Sequence, residues 1–359
     1  MSNIDINDSR SSETYAEAIL KNNPETRQKV TDLLTKEEIK SLTKRSDLYG
    51  VVAILVTWGG VAVCFFGLAL ASQLEGVLAL PLYLFFTAML AGRHLAMSIA
   101  VHDASHGTLF KTKWLNNTLA DWLFAKPLWN DLENYRVYHF KHHTKTATKD
   151  DPDLILSEGY PTTKSSMFKK VLRDMSGFIG LKYLALRVLV DLELVDWTVT
   201  GELNWRDRKD RTLLSYPVTF IKNAFPMLIC NVSLFLVLDA LSYGWLYMFW
   251  IIAHMTFFML FVRIRSMAEH AALERVPDMF KNTRTTKAGL LAKLTVAPLN
   301  VNFHQEHHIM ASCSFVHLPR AHKLLREKGL VGEPPTYLDV LKIMSSANAA
   351  PVNEHFKRH

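Results

Sequence analysis

Residues 50–71 read GVVAILVTWGGVAVCFFGLALA, an apolar run without a charged side chain. A helix needs about 20 such residues to cross the hydrocarbon core of a bilayer, so this run predicts a membrane span. Three further runs behave alike. Residues 77–101 are broken only by Arg93 and His94 near the far end. Residues 214–238 carry Lys222 near the start and Pro226 inside. Residues 240–262 hold His254 as their one basic group. The short segments 72–76 and 239–243 pair the runs into two helical hairpins, and an all-α integral membrane fold with four spans follows.

The whole-chain averages conceal this. Over 359 residues, 49% are hydrophobic and 21% charged, values close to those of a soluble protein. They exclude a dense polytopic transporter and a disordered or collagenous chain. Three cysteines, Cys64, Cys230 and Cys313, make no disulfide framework. The polar start MSNIDINDSRSSETYAEAI lacks the basic-then-apolar layout of a signal peptide.

The net charge of +7 has a topological reading. Neither hairpin loop contains Lys or Arg, whereas the tail 1–48 carries Arg10, Lys21, Arg27, Lys29, Lys36, Lys40, Lys44 and Arg45. Most of the remaining basic residues lie in 102–213 and 264–359. The positive-inside rule places the termini and both large polar segments in the cytoplasm. No basic–aromatic module or zinc-finger spacing points to nucleic acid. The expected organisation is a cytoplasmic tail and helix (1–48), a membrane domain (49–330) with a helical cap built from 102–213 and 264–330, and a C-terminal tail (331–359). Residues 1–20 and 345–359 are expected to be mobile.

Two polar stretches have helical signatures. Met167, Phe168, Val171, Leu172, Met175, Phe178 and Ile179 recur at helical spacing within 166–180, with Lys169, Lys170 and Arg173 on other faces. This predicts a helix lying at the membrane surface or in the core of the cap. Thr35 followed by Glu38 predicts a capping box at the start of a helix leading into the first span.

Fifteen histidines carry the functional information. His102 and His106 lie in HDASHG, just past the second span. His139, His142 and His143 form HFKHH, and His304, His307 and His308 form HQEHH. His270 follows the fourth span in RSMAEHA. Residues three or four apart share a helix face, so each box can aim its imidazoles at one place. Adjacent histidines differ by about 100° in direction and suit two neighbouring metals better than one. Nine imidazoles exceed the capacity of a single ion, so the cap is expected to hold a di-metal site. HExxH is absent, which argues against a zinc protease. Asp103, Asp153, Glu269, Asn302 and Glu306 are the candidates to orient the ligands, and Asp150 and Asp151 belong to the same acidic cluster as Asp153. His94 and His254 are read as hydrogen-bonded histidines of the bundle, and His317 and His322 as structural or surface groups.

With HDASHG, HFKHH and HQEHH in this order over two hydropathic hairpins, the chain resembles the membrane fatty acid desaturases. Tyr135 and Arg136 before the second box, DDPD (150–153) after it, and NVNFHQEHH (300–308) with LPRAH (318–322) add to the likeness, which covers roughly 50–330. The resemblance implies two iron ions held by His102, His106, His139, His142, His143, His304, His307 and His308, with His270 matching an extra ligand after the fourth span. It implies a mushroom shape, with an acyl chain threaded beneath the metals. A proline often found after the last box is missing, and no HPGG haem motif of a fused cytochrome b5 is present. Electrons would come from an external donor of ferredoxin or cytochrome b5 type.

The expected reaction is O2-dependent desaturation of a fatty acyl chain in a membrane, a bacterial inner membrane given the plain N-terminus and the missing haem domain. An unactivated C–H bond has no acidic proton, so a redox cofactor must carry the hard step. Hydroxylases and terminal-alkene-forming fatty acid decarboxylases share the scaffold. A membrane metal-binding or transport protein is the rival from another class. It predicts ionisable groups lining a path deep in the spans, where this chain offers only His254 and His94.

Overall fold

The computed structural model describes residues 29–200, 203–209 and 211–346. The expectations for the first 28 residues and for 347–359, His355 and His359 included, lie outside the described residues. Among those described, every regular element is helical, and extended pairing is limited to two isolated bridges, Val195 with Trp205 and Lys287 with Thr336.

After a single helical turn at Val30–Leu33, α1 (Lys36–Leu42) starts with the predicted capping box. The Glu38 amide donates to Thr35 Oγ1 at 3.2 Å, and the Thr35 amide donates to Glu38 Oε2 at 2.7 Å. Besides leading toward the membrane, α1 packs Leu42 on Leu318, Ala321 and Leu325 behind the last histidine box.

Four helices are long and apolar enough to span a membrane: α2 (Asp47–Ala71), α3 (Gly76–Ser105), and, after the histidine helix and two surface helices, Ser215–Ala240 and Gly244–His270. Intervening in chain order are α4 (Leu132–Lys145), α5 (Lys164–Met175) and α6 (Phe178–Asp191). The latter two spans are therefore α7 and α8. Large apolar side chains cover the outside of these helices. Leu55, Val63 and Phe66 on α2, Leu84 and Phe85 on α3, Ile221, Phe225 and Leu236 on α7 and Ile251 on α8 are all exposed. Water would penalise such a surface and lipid accepts it. The chain is a membrane protein.

Helix α3 is the axis of the packing. From Leu90 to Ser105 all but one residue is buried, and Leu95, Met97, Ile99 and Val101 join Leu68, Trp250 and Ala253 in the main core. Arg93 is tolerated there because its guanidinium donates to the backbone carbonyls of Val56 at 3.2 Å and Leu294 at 2.8 Å. Gly92 lets the segment bearing Leu294 approach α3. A Cβ at this position would stand 2.1 Å from the Leu294 carbonyl oxygen. That contact seats the chain just before α9 (His304–Ile309), the helix of the last box. Behind it lie α10 (Leu318–Glu327) and α11 (Tyr337–Met344).

The amphipathic stretch forms two helices where one was expected. The chain breaks at Ser176 and Gly177, whose φ of 79° ends α5 and starts α6. Met167 and Asp174 face inward, with Asp174 ion-paired to Arg263. Phe168, Leu172, Phe178, Leu181 and Leu184 are exposed, leaving one apolar face for lipid. Gly180 permits α6 to cross α8 closely, since a Cβ there would meet Met255 Cα at 2.4 Å. The crossing falls on the π-helical turn His254–Phe258, a local distortion that proteins place near functional sites.

Replacing Gly92 with Ala tests the α3 packing. Overpacking of this kind costs about 1–3 kcal/mol, and here the obstacle is backbone. The variant is expected to show a lowered thermal unfolding midpoint in detergent. A wild-type midpoint would contradict the tight approach of the Leu294 segment.

Candidate metal centre

The histidines sit where buried helices end. His102 occupies the last turn of α3 and His106 its C-cap. The free carbonyls at this helix end are met by side chains: Asn116 Nδ2 donates to Ala104 O at 2.8 Å and Arg136 Nε donates to Ser105 O at 3.1 Å. Arg136 belongs to α4, so the same bond fixes α4 beside α3. The Asp131 carboxylate caps α4 by accepting from the Asn134 amide at 2.9 Å. His139, His142 and His143 follow two turns later. His270 closes α8. Left-handed residues stand next to these positions: Ala147 after α4, Ala272 after α8, and Leu299 and Asn300 before α9. Each such residue costs roughly 1–3 kcal/mol, and strain of this kind clusters at functional sites.

The nine histidines of the three boxes and the fourth span come together as two groups. His102, His106, His139, His143 and His307 form one, and His142, His270, His304 and His308 form the other. Within each group the candidate ligand atoms lie within 4.8 Å of one another. Boxes two and three feed both groups, because His142 points away from His143 and His307 away from His308. The groups are neighbours: the rings of His143 and His308 stack with centroids 4.3 Å apart. All nine are buried except His270, which is half-buried.

The spacing of the nitrogens suits metal ligation. His143 Nε2 lies 3.0 Å from His139 Nε2 and 3.0 Å from His307 Nε2, and His304 Nε2 lies 2.8 Å from His270 Nε2. Two nitrogens about 2.1 Å from one ion and at right angles are separated by about 3.0 Å. His102 Nε2, His304 Nδ1 and both ring nitrogens of His106 and His308 are buried without a hydrogen-bond partner. Unmatched polar atoms of this kind are costly, and a cation would engage them.

Electrostatics favours the ligand form. Burial, reinforced by neighbouring imidazoles, holds His139, His143, His304, His307 and His308 well below the ordinary histidine range. Burial, with Arg45 and Arg136 nearby, lowers His106 to about 3. Neutral imidazole is the state that binds metals. His142 differs. Burial opposes its charge, but Asp151 and Asp153 outweigh burial and raise it to about 9.

Carboxylates orient several rings. Asp103 Oδ1 is 3.0 Å from His102 Nδ1, and its other oxygen accepts from the Phe315 amide. His142 Nδ1 meets Asp151 Oδ1 at 2.8 Å, with Asp153 Oδ2 farther away at 3.7 Å. Within the acidic cluster, then, Asp151 is the direct partner, and Asp153 accepts from Tyr138 Oη at 2.6 Å. Glu269 pairs with Arg265 at 2.7 Å and stands 3.5 Å from His304 Nδ1. Glu306 turns away from the box rings and holds His322 at 2.7 Å and the Thr285 hydroxyl. Asn302 Nδ2 donates to Thr286 O at 2.9 Å, while its Oδ1 is buried without a partner. The imidazole of His270 is held by the Asn282 carbonyl at 3.1 Å.

Among the described residues, four other histidines lie outside the cluster. His317 bonds Tyr49 Oη at 3.0 Å. His322 serves Glu306. His94 and His254 depart from expectation: neither ring nitrogen of His94 nor Nδ1 of His254 has a partner, and His94 packs edge-on against Trp250 with centroids 4.1 Å apart. Sequence reasoning singled out Tyr135 only for the family likeness and did not foresee its stacking on His139 at 5.2 Å; it missed Arg265, the partner of Glu269. It also missed the Thr285–Glu306–His322 link, whose members no local spacing connects.

A four-span helical membrane protein with two converging groups of buried histidines is thereby defined. The fatty acid desaturase family model matches residues 75–337, which include every box, and the chain belongs to that family. No curated protein matched the chain in a sequence comparison. The family implies an oxidoreductase with a fatty acyl substrate in contact with membrane lipids, and the buried histidine groups are compatible with its metal site.

Replacing Asp151 with Asn keeps the side-chain shape and removes the charge behind His142. Loss of such a partner lowers metal affinity about 10–100-fold. Chelator competition on the purified chain checks this, and unchanged affinity would remove Asp151 from the site's support.

Proposed function

We propose that the chain is an O2-dependent fatty acyl desaturase with two iron ions as cofactor, introducing a C=C bond into a lipid acyl chain. The partition of nine histidines into a group of five and a group of four, at the end of the buried α3, supports this reading above all. His102, His106, His139, His143 and His307 hold one ion. His142, His270, His304 and His308 hold the other. The irons supply O2 activation and the removal of hydrogen from unactivated carbons. An external donor of ferredoxin or cytochrome b5 type supplies electrons.

The chain's own groups prepare this chemistry. Asp103 and Asp151 keep the Nδ1 protons of His102 and His142 in place and leave each Nε2 free as a ligand atom. The apolar packing around α3 excludes water from the group of five. Asn302 leaves a buried side-chain carbonyl oxygen without a partner beside the last box. The polar segments 102–213 and 264–330 form a cytoplasmic cap, both termini lie on the same side, and a bacterial inner membrane is the expected location.

Hydroxylation and decarboxylation share the scaffold, and the product separates them. Expression in a host with a reductase system, followed by lipid and headspace mass spectrometry, is expected to reveal a new internal double bond. The bond should disappear when His142 is replaced with Ala. Added oxygen would replace desaturation with hydroxylation, and a volatile alkene one carbon shorter than the acid would replace it with decarboxylation. Unchanged profiles with inserted, reduced protein under air would sink all three.

A further inference from the structure

The two faces of α4 differ. Inward, His139, His142 and His143 supply ligands to both histidine groups. Outward, Val137, Lys141 and Lys145 follow one another four residues apart, the spacing of one helix face. All three are exposed, Val137 by 64%. Lys149 continues the series in the turn beyond the helix, where the Thr148 amide donates to the Lys145 carbonyl at 2.9 Å. It too is exposed. Among the described residues, none of these three ammonium groups has an ion pair.

The acids nearby leave the strip positive. Asp150 is the one acid within 141–150. Glu133, earlier on the same helix, pairs with Arg136. Asp151 is buried against His142, and Asp153 accepts from Tyr138. Glu158 pairs with Arg275 at 3.2 Å, and Glu274 lies 4.0 Å from Lys281. Three reachable lysines therefore face one exposed aspartate.

The same stretch borders the most accessible part of the metal centre. Of the nine clustered histidines, His270 is the one that is half-buried. Ala147, between Lys145 and Lys149, lines a narrow cleft with Asp151, Arg275 and His270. A helix with its side chains is about 10–12 Å thick. A protein resting on the strip is separated from His142 and His143 by little more than α4 itself, and the cleft leads it to His270. Electron tunnelling falls steeply with distance, so a thin wall of this kind suits electron entry.

We propose that this strip is the docking surface of the external electron donor, and that the donor presents an acidic face to it. The proposal rests on the desaturase reading above and names the seat and the chemistry of its partner. Two one-electron encounters serve each alkene. The donor is oxidised twice. The two electrons, two protons and the two hydrogens taken from adjacent acyl carbons reduce O2 to two waters as the C=C bond forms. Opposite charge steers such encounters at low salt, and electron-transfer interfaces are small. Three lysines with Val137 as apolar contact meet both conditions.

Binding to the iron-loaded, full-length chain in detergent, and its reduction, test this. The probes are a plant-type two-iron ferredoxin and the soluble haem domain of a cytochrome b5, both acidic one-electron carriers. Wild-type chain is expected to bind at least one probe, about 10-fold or more weakly as ionic strength rises from about 0.02 M to about 0.2 M. The triple variant Lys141→Glu, Lys145→Glu, Lys149→Glu is expected to lose about 10-fold or more in low-salt affinity and in donor-driven reduction rate. Its single turnover with O2 after reduction by dithionite should match wild type. A control triple, Lys36→Glu, Lys40→Glu, Lys323→Glu, changes the net charge equally at exposed positions of α1 and α10 and should bind within about 2-fold of wild type. Should the strip triple fail to fold, the single reversals at Lys141 and Lys145, each expected to cost about 3-fold, take its place. No binding of either probe to wild type at low salt, binding insensitive to salt, or equal losses in the two triples overturns the proposal. A strip variant that loses the dithionite turnover as fully as the donor-driven one also overturns it. The expected binding pattern in a chain that makes no alkene would keep the docking surface and remove desaturation. Alkene formation by the strip triple at the wild-type rate in a reductase-supplied host would keep desaturation and remove the surface.

Discussion

Nine imidazole rings packed into one buried place form the constraint on which the rest of the structure depends. Each unmatched buried nitrogen costs about 1–3 kcal/mol. The nitrogens of His139, His143 and His307 approach to 3.0 Å, the separation that two nitrogens at right angles on one cation adopt. Burial keeps His106, His139, His143, His304, His307 and His308 neutral, and neutrality makes them ligands. The folded chain is therefore expected to gain stability from metal, because binding energy at such sites adds to folding energy.

The membrane bundle meets that constraint from below. Helices α3 and α8 bring His102 and His270 to the same level at their final turns. The remaining ligands come from helices that do not span, and their placement relies on polar contacts with helix ends. Arg136 joins α4 to the end of α3, and the close approach at Gly92 seats the segment leading to α9. The hydrocarbon part and the histidine part of the fold are consequently one mechanical unit. The buried packing around Leu95, Met97 and Val101 positions the chemistry as directly as the carboxylates do.

The spans and the site differ in how much of them could be read from sequence. The four apolar runs predicted the four long helices, since hydropathy is a local property and bilayer thickness sets its length. The 100° step between adjacent histidines anticipated two groups, because helix geometry is also local. What stayed hidden depends on contacts across the chain. The choice of Asp151 over Asp153 as the direct partner of His142 is decided by the left-handed turn at Ala147, whose amide also donates to Asp151. The partnership of Glu306 with Thr285 and His322 joins segments that sequence spacing does not link. The break at Gly177 was legible in principle, since glycine after a helical run marks a stop, yet the continuing apolar spacing masked it. His94 and His254 show the opposite failure: general expectation supplies hydrogen bonds that the packed bundle does not provide.

The central claim is that the two histidine groups each hold one iron. Metal analysis of the detergent-purified chain, combined with X-ray absorption at the iron edge, tests it most directly. The account predicts about two irons per chain, each in a nitrogen-rich shell near 2.1 Å, with binding lost when His142 and His143 are both replaced with Ala. A single metal ion per chain, or a full site of zinc that supports the wild-type reaction without iron, would contradict it.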